Sequence, residues 1–300
     1  MALDLTARDP AAHAGPQSAH ALPIVRKIHP ADLRDALRKG VEDFVAMPSH
    51  IVFLGLIYPI IGIFFGRLAL GHNMLPLVFP LVAGFALVGP VAAIGLYELS
   101  RRREKGLPAS WKHAFSVLRS RSLPTIAMLG ALLLAIFVAW LVTAQTIYSA
   151  YFGILPPQSI ESFAHDVFNT QAGWNMILAG NTAGFLFAVV AFAISVVSFP
   201  LLLDRDVGFA AAVATSVNAV RTNPATMTLW AMIVVTLLAV GSLPFLLGLT
   251  IVVPVLGHAT WHLYRKVVEP GSGPRPGHRP RLKGRRYAAD FPAVLFPWAR

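Results

Sequence analysis

The sequence predicts an all-α membrane protein with about six transmembrane helices arranged as three hairpins, each preceded by an amphipathic helix at the cytoplasmic surface. Three observations lead to this fold class. Hydrophobic residues make up 56% of the 300 residues and charged residues only 13%, against roughly 25% charged residues in soluble domains. Long segments lack Asp, Glu, Lys and Arg, and about 20 apolar residues suffice to cross a bilayer. The same order of elements also recurs along the chain.

The N-terminal part contains a tail followed by a surface helix. Residues 1–29 have no apolar run, which predicts a disordered tail without a signal peptide. The membrane domain is predicted to cover residues 30–268 and to begin with an amphipathic helix from Asp32 to Met47. The predicted apolar face of this helix consists of Leu33, Leu37, Val41, Phe44 and Val45.

The segments without charged residues divide into six predicted spans. The last such segment is long enough for two helices, with a turn from Gly241 to Pro244. The spans are predicted to run from His50 to Arg67, Leu75 to Leu99, Leu123 to Tyr148, Gly180 to Leu203, Ala225 to Val240 and Leu243 to Tyr264. Between the third and fourth spans, an apolar stripe after Pro157 predicts a short helix on the outer leaflet. The stripe comprises Ile160, Phe163, Ala164, Val167 and Phe168.

Two more surface helices precede the third and fifth spans, and their spacing indicates an internal repeat. Ser110 and Asp206 are candidate N-caps for these helices. Steps of four, three and four residues separate Leu37, Val41, Phe44 and Pro48, and the same steps separate Val213, Val217, Val220 and Pro224. The middle copy contains Trp111, Phe115 and Leu118 ahead of Pro124. Each proline is placed to begin a membrane helix.

The even-numbered spans resemble one another as well. Pro90 precedes Tyr97, Glu98 and Arg101 by the same steps at which Pro254 precedes Trp261, His262 and Arg265. The fourth span retains only Pro200 ahead of Asp204 and Arg205. We interpret the chain as three copies of a surface helix followed by a membrane hairpin; amphipathic helices that join spans without any repeat are the alternative.

Basic residues are strongly asymmetric about the predicted spans. Of 25 Lys and Arg residues, 24 lie on one side and only Arg67 lies opposite. The positive-inside rule makes the basic side cytoplasmic, so both termini are predicted inside the bacterial inner membrane. The net charge of +11 is explained by this topology without nucleic acid. The bilayer and its anionic headgroups are the predicted partners, with other membrane proteins as a further possibility.

Residues 269–300 form a second tail, which is basic, rich in Pro and Gly, and aromatic at its end. Basic residues near an anionic leaflet attract lipid headgroups. The end of the tail is a candidate aromatic anchor for the membrane surface or for a partner. Its apolar side chains are Tyr287, Phe291, Leu295, Phe296 and Trp298.

Three strings in fixed order resemble an uncharacterised bacterial integral-membrane family that is catalogued as a domain of unknown function. They are Gly89-Pro90 with Gly95 to Arg102, Phe199 to Asp206, and Gly257 to Arg265. The resemblance covers roughly His29 to Pro270. Some members are labelled cytochrome c oxidase proteins, so the resemblance implies a respiratory connection. A haem-copper core requires histidines on several helices, whereas this chain has two in the interior of its predicted spans, both on one helix.

The candidate functional site is a polar cluster where spans two, four and six end. His258 and His262 stand four residues apart and share a helix face; His258 lies about 10 Å inward of Arg265. The complete predicted cluster is Glu98, Arg101, Asp204, Arg205, His258, His262 and Arg265. We expect these groups to lock helix ends together. His258 and His262 are also candidate metal ligands, although no cofactor is predicted.

No motif in the sequence indicates catalysis. The chain has no cysteine, which excludes thiol nucleophiles and Cys-ligated metal, and it lacks a nucleophile elbow and a phosphate loop. The sequence therefore favours a non-catalytic inner-membrane protein that acts through lipid or protein contacts. A small-solute transporter or channel is the first alternative. A metal- or haem-binding respiratory accessory protein is the second.

Overall fold

The structure is a computed structural model that describes residues 22–47, 67, 75–244 and 246–271. Within these ranges helices are the only regular elements, apart from an isolated antiparallel β-bridge between Val25 and Val268. The predicted all-α class is therefore confirmed. The predicted first span lies outside the described residues except for Arg67, as do Pro48 and the aromatic end of the second tail.

Eleven α-helices lie in the described part of the chain. They are α1 (Pro30–Ala46), α2 (Val78–Ala92), α3 (Ile94–Glu104), α4 (Trp111–Ala114), α5 (Leu123–Phe152), α6 (Ile160–Asn169), α7 (Gln171–Ser195), α8 (Ser198–Asp204), α9 (Phe209–Thr222), α10 (Pro224–Ser242) and α11 (Leu249–Val267). A 3-10 turn, Leu75–Leu77, precedes α2, and another, Phe115–Arg119, continues α4.

Three helices are long and apolar enough to cross a membrane, as judged within the described residues by length and composition. They are α5, the stretch Gln171–Asp204 that joins α7 to α8, and α10. These helices correspond to the predicted third, fourth and fifth spans. The helices of the predicted second and sixth spans are not among them, because α2 and α3 are short and α11 ends in charged residues.

Several helix boundaries differ from the predicted ones for local reasons. The second span is divided at Ala93, shortly after Pro90, which has no N–H to donate. The fourth begins at Gln171 rather than Gly180, because the Thr170 hydroxyl caps the Gly173 N–H at 3.0 Å. The helix α9 begins after Gly208, which adopts a φ of 77°, so Asp206 is not its N-cap.

The helix α1 packs on α11 through a side that overlaps the predicted apolar face only at Leu33 and Phe44. Its buried residues are Leu33, Ala36, Gly40, Asp43 and Phe44, whereas Val41 and Val45 are exposed. A Cβ on Gly40 would lie 2.7 Å from the Ala259 Cβ, so the glycine permits close approach of the two helices. The apolar pattern did not predict this face because the contact uses small residues and a carboxylate.

The other two surface helices make comparable contacts with neighbouring helices. A Cβ on Gly95 of α3 would lie 3.0 Å from the Cβ of Ala114 in α4. The Val197 N–H, at the junction of α7 and α8, donates to the Ser216 hydroxyl of α9 at 3.1 Å. Small residues therefore lie at these contacts of α1, α4 and α9.

The helix ends meet at one end of the bundle, which we call the basic face because Arg103, Arg205 and Arg265 lie there. At this face α3, α8 and α11 pack against one another. The segment before α1, part of the predicted tail, is held at the same place: the Arg26 N–H donates to the Val267 carbonyl at 2.7 Å, and the Ile28 N–H donates to the Asn223 side chain at 2.8 Å.

Candidate functional site at the basic face

The polar side chains at the basic face form separate groups around individual carboxylates. The deepest group surrounds Asp43 of α1. The close contact between α1 and α11 at Gly40 places the Asp43 side chain in the interior. Asp43 is only 4% exposed. Its carboxylate accepts hydrogen bonds from the Ser100 hydroxyl at 2.6 Å and from His262 Nε2 at 2.9 Å. Arg103 Nη1 lies 2.5 Å from the other carboxylate oxygen.

His258 is joined to this group through Ser100. The imidazole Nδ1 of His258 lies 2.8 Å from the Ser100 Oγ, and both residues are fully buried. A serine hydroxyl has one proton, and Ser100 donates it to Asp43, so the Nδ1–H of His258 is the donor to Ser100. The hydrogen bonds therefore run from His258 through Ser100 to Asp43, which also accepts from His262.

The environment of Asp43 favours its ionised form. Burial raises the pKa of the carboxyl, but hydrogen bonds from His262 and Ser100 and the charges of His262 and His258 outweigh burial and lower the pKa below its ordinary value. An ionised carboxylate is a stronger acceptor than a protonated one. The helix α1 is thus held to α3 and α11 by charge-assisted hydrogen bonds in the interior.

A second group surrounds Asp204 and Glu104. Tyr264 donates its hydroxyl proton to Asp204 at 2.8 Å, and Trp261 donates its indole N–H to Glu104 at 3.0 Å. Arg265 lies between the two carboxylates, with Nε 2.9 Å from Glu104 and Nη1 3.5 Å from Asp204. These contacts tie the ends of α3, α8 and α11 together.

Arg205 connects the second group to the backbone that follows α11. Its side chain is 2% exposed, and its Nη2 donates to the carbonyl of Glu269 at 2.6 Å. A polar pocket of about 250 Å³ opens among these residues. It is lined by Glu104, Lys105, Asp204, Arg205, Trp261, Arg265 and Gly271. The carboxylates in this pocket already accept hydrogen bonds from neighbouring helices.

Glu98 belongs to a third group, on α3 and the 3-10 turn that continues α4. Arg101 Nε donates to the Glu98 carboxylate at 2.7 Å, and Ser116 donates to its other oxygen at 3.2 Å. The predicted cluster is thus distributed over three groups: His258 and His262 meet Asp43, Asp204 meets Arg205 and Arg265, and Glu98 meets Arg101.

The sequence did not predict Asp43, Ser100 and Arg103 as members of the site. Asp43 lies outside the predicted apolar face of α1, although it follows Ala36 and Gly40 at helical spacing, three residues after Gly40. That spacing is the signal that could have placed Asp43 at a helix–helix contact. Ser100 and Arg103 carry no comparable sequence signal.

The arrangement of the histidines is suited to hydrogen bonding more than to metal ligation. In the described residues, no group of three or more His, Asp or Glu side chains has the geometry to hold a metal ion. His258 Nδ1 and His262 Nε2 point to Ser100 and Asp43 respectively. The chemistry that this group does allow is proton exchange between imidazole, hydroxyl and carboxylate.

A shallow apolar groove of about 510 Å³ lies on the outer side of α9. Its lining consists of Phe209, Ala210, Val213, Ala214, Val217, Asn218 and Arg221. The opposite side of α9 is buried through Ala212, Thr215, Ser216 and Ala219. One side of this surface helix thus packs on the bundle, and the other presents apolar side chains with a basic residue at one end.

Comparison with known proteins identifies a membrane family of unknown function. Residues 78–204, from α2 to the end of α8, match the model of a family described as "Predicted integral membrane protein (DUF2189)". The resemblance to an uncharacterised integral-membrane family is thereby confirmed over these residues. No curated protein and no solved structure matches the chain. The protein is an integral membrane protein with several apolar helices.

Proposed function

We propose that the chain is a non-catalytic protein of the bacterial inner membrane that acts through contacts with lipid and with other membrane proteins at the cytoplasmic leaflet. In this proposal the basic face is cytoplasmic, the six predicted spans cross the membrane, and both termini lie inside. The asymmetry of the basic residues supports this orientation, since only Arg67 lies opposite the other 24.

The observation that carries the proposal is the exposed apolar stripe on α4 and its 3-10 continuation. Phe115 is 54% exposed and Leu118 63% exposed, while Val117 between them is 7% exposed. A short segment that buries one side and presents large apolar side chains on the other is suited to the membrane interface. Trp111 lies on the same stripe, edge-on to Phe115 with ring centroids 6.2 Å apart.

Basic side chains around this stripe favour anionic lipid. Lys112, Arg119 and Arg121 are exposed and alternate with the apolar residues. Each basic residue near an anionic surface contributes about 1 kcal/mol. We call the surface formed by Trp111, Phe115, Leu118 and these three cations the Trp111 patch. This patch would contact both the acyl region and the phosphates of anionic lipids.

The internal repeat supports the same membrane-surface role for all three surface helices. The small residues Gly40, Ala114 and Ser216 occupy equivalent places in the three proposed copies. They contact Ala259, Gly95 and Val197, each of which stands two residues before a buried aromatic side chain. The three aromatic residues are Trp261, Tyr97 and Phe199, and each is followed two residues later by a buried leucine.

This equivalence suggests three units closed into a ring. The surface helices α4 and α9 pack on the even-numbered span that precedes them, and α1 packs on the last one. By these contacts, the residue of the fourth span that corresponds to Tyr97 and Trp261 is Phe199. The sequence spacing had instead aligned Pro200 of that span with Pro90 and Pro254. In a ring of this kind the surface helices would surround the ends of the even-numbered spans at one membrane face.

Lipid retention tests the proposal. The variant with Lys112→Gln, Arg119→Gln and Arg121→Gln should lose roughly 3 kcal/mol of attraction for anionic headgroups, or about a hundredfold in affinity. Native mass spectrometry of protein extracted from vesicles of equal phosphatidylglycerol and phosphatidylcholine would measure the retained phosphatidylglycerol. The control is Arg67→Gln on the proposed opposite face. Equal retention by wild type and the triple variant would refute the lipid contact at the Trp111 patch.

A further inference from the structure

We propose that the aromatic end of the second tail, residues 290–300, docks on the apolar outer side of α9 in the same chain and runs antiparallel to that helix. These tail residues lie outside the described part of the structure, whereas the surface that would receive them is described. The docking concerns a different helix from the Trp111 patch and does not depend on lipid binding there.

The outer side of α9 is a groove whose lining lacks exposed large apolar side chains. Ala210 and Ala214 are exposed there, and Val213 and Val217 are half-buried beside them. The Trp111 patch, by contrast, presents large apolar side chains to the surroundings, and helices that insert into a membrane surface do so through Trp, Phe and Leu. Large side chains from another segment would fill the groove and give α9 an outer surface comparable to that of α4.

Exposed charges of opposite sign lie at the two ends of the groove. Asp206 precedes α9 and is exposed, and Arg221 lies exposed in the last turn of the helix. The 14 residues of α9 span about 20 Å at 1.5 Å per residue. An occupant that runs the length of the groove would therefore meet a cation at one end and a carboxylate at the other.

The tail carries the complementary pattern. Asp290 is the only acidic residue among residues 272–300 and directly precedes the apolar run, and Arg300 follows the run. In the antiparallel arrangement Asp290 would meet Arg221, and Arg300 would meet Asp206. The large apolar side chains between these two ion pairs are Phe291, Leu295, Phe296 and Trp298.

The tail leaves the described structure beside the start of α9. The carbonyl of Glu269 accepts a hydrogen bond from Arg205 Nη2 at 2.6 Å, and Gly271 lines the polar pocket together with Arg205. Gly271 and Asp290 are 19 residues apart, a length of chain that can span up to about 60 Å. The tail is therefore long enough to reach the far end of α9 and to return along the groove.

Disulfide crosslinking in the full chain tests the docking, because the sequence has no native cysteine. Ala214→Cys in the groove and Leu295→Cys in the tail should form a disulfide within one chain when membranes are oxidised with copper phenanthroline. Glu42→Cys, at an exposed position on α1, is the control partner for Leu295→Cys and should give little disulfide. Equal yields from the two pairs would overturn the proposal.

Charge reversal tests the antiparallel arrangement. Loss of an exposed ion pair changes an equilibrium by up to about fivefold, so Arg221→Glu should lower the disulfide yield of the groove pair by roughly two- to fivefold. Asp290→Arg in the same chain should restore the yield. Arg119→Glu, at an exposed cation outside α9, is the matched control and should leave it unchanged. A loss that Asp290→Arg does not restore would contradict the proposed pairing.

Other occupants of the groove give different outcomes. Disulfides that form only between two differently tagged copies would show that the tail docks on a second copy, and would overturn docking within one chain. The reaction of Ala214→Cys with a water-soluble maleimide in opened membranes provides a measurement without a tail cysteine. Replacement of the four large apolar tail residues by serine should speed this reaction. An unchanged rate would show that lipid or another protein covers α9, and would overturn the proposal.

Discussion

At the scale of single residues, the site depends on a carboxylate whose importance is not visible in the sequence. The sequence predicted that His258 and His262 share one helix face, since four residues separate them. It did not predict their partner, because Asp43 lies more than 200 residues away and looks like one charge among several on α1. A buried carboxylate requires charged or polar partners, and here they come from two other helices, α3 and α11.

Removal of the Asp43 side chain should destabilise the protein markedly. Breaking a buried ion pair costs roughly 3 to 5 kcal/mol, and because Arg103 is 41% exposed and can be rehydrated, we expect Asp43→Ala to lower the free energy of unfolding by about 3 kcal/mol. Unfolding by sodium dodecyl sulfate would measure this change. Glu42→Ala, at the neighbouring exposed residue, should change it by less than about 1 kcal/mol. Similar losses for both variants would contradict the burial of Asp43.

The charge of Asp43 also predicts a dependence on acid. Since the pKa of the folded carboxyl lies below its ordinary value, the ionised group stabilises the fold at pH values above the unfolded pKa, which is about 3.9. This contribution is lost as the pH falls through the folded pKa. The stability difference between wild type and Asp43→Asn should therefore shrink below about pH 4. A difference that grows on acidification would show that the sign of the shift is wrong.

At the scale of helices, hydrophobicity and caps predicted that an element exists more reliably than they predicted where it ends or which side it buries. Spans three and five begin near Pro124 and Pro224, as expected. The divisions at Ala93 and at Val196 were not predicted, because a run of apolar residues gives no indication of a break. The buried side of α1 overlaps the predicted apolar stripe only at Leu33 and Phe44, because glycine and alanine contribute little to hydrophobic periodicity.

Close packing of α1 on α11 predicts a penalty at Gly40. A Cβ there would lie 2.7 Å from the Ala259 Cβ and 2.8 Å from the Val255 carbonyl oxygen, so the backbone must move. We expect Gly40→Ala to cost about 1 to 3 kcal/mol in the free energy of unfolding. Gly180→Ala is the matched control, because no atom lies within 4 Å of the added Cβ, and it should be neutral or stabilising by up to about 1 kcal/mol. Gly40→Ala stability equal to wild type would contradict the packing.

At the scale of the whole molecule, composition and the long uncharged segments predicted the class, while the contacts between distant segments did not follow from them. The low content of charged residues indicated a membrane protein, and the length of the uncharged segments indicated helices. Three contacts join the beginning of the described chain to its last helices. They are the pairing of α1 with α11, the bridge from Val25 to Val268 and the hydrogen bond from Ile28 to Asn223. No local pattern predicts such contacts, because they arise only when the helices assemble.

The proposed orientation of the whole molecule leads to the last prediction. Gln158, before α6, and Asp206, before α9, are both exposed and lie at opposite ends of the stretch formed by α7 and α8. If the basic face is cytoplasmic, Gln158→Cys in intact cells should react with a membrane-impermeant maleimide, and Asp206→Cys should react only after the membrane is opened. If Asp206→Cys but not Gln158→Cys reacted in intact cells, the orientation of the protein would be the opposite of the proposed one. The Trp111 patch would then face the outer leaflet.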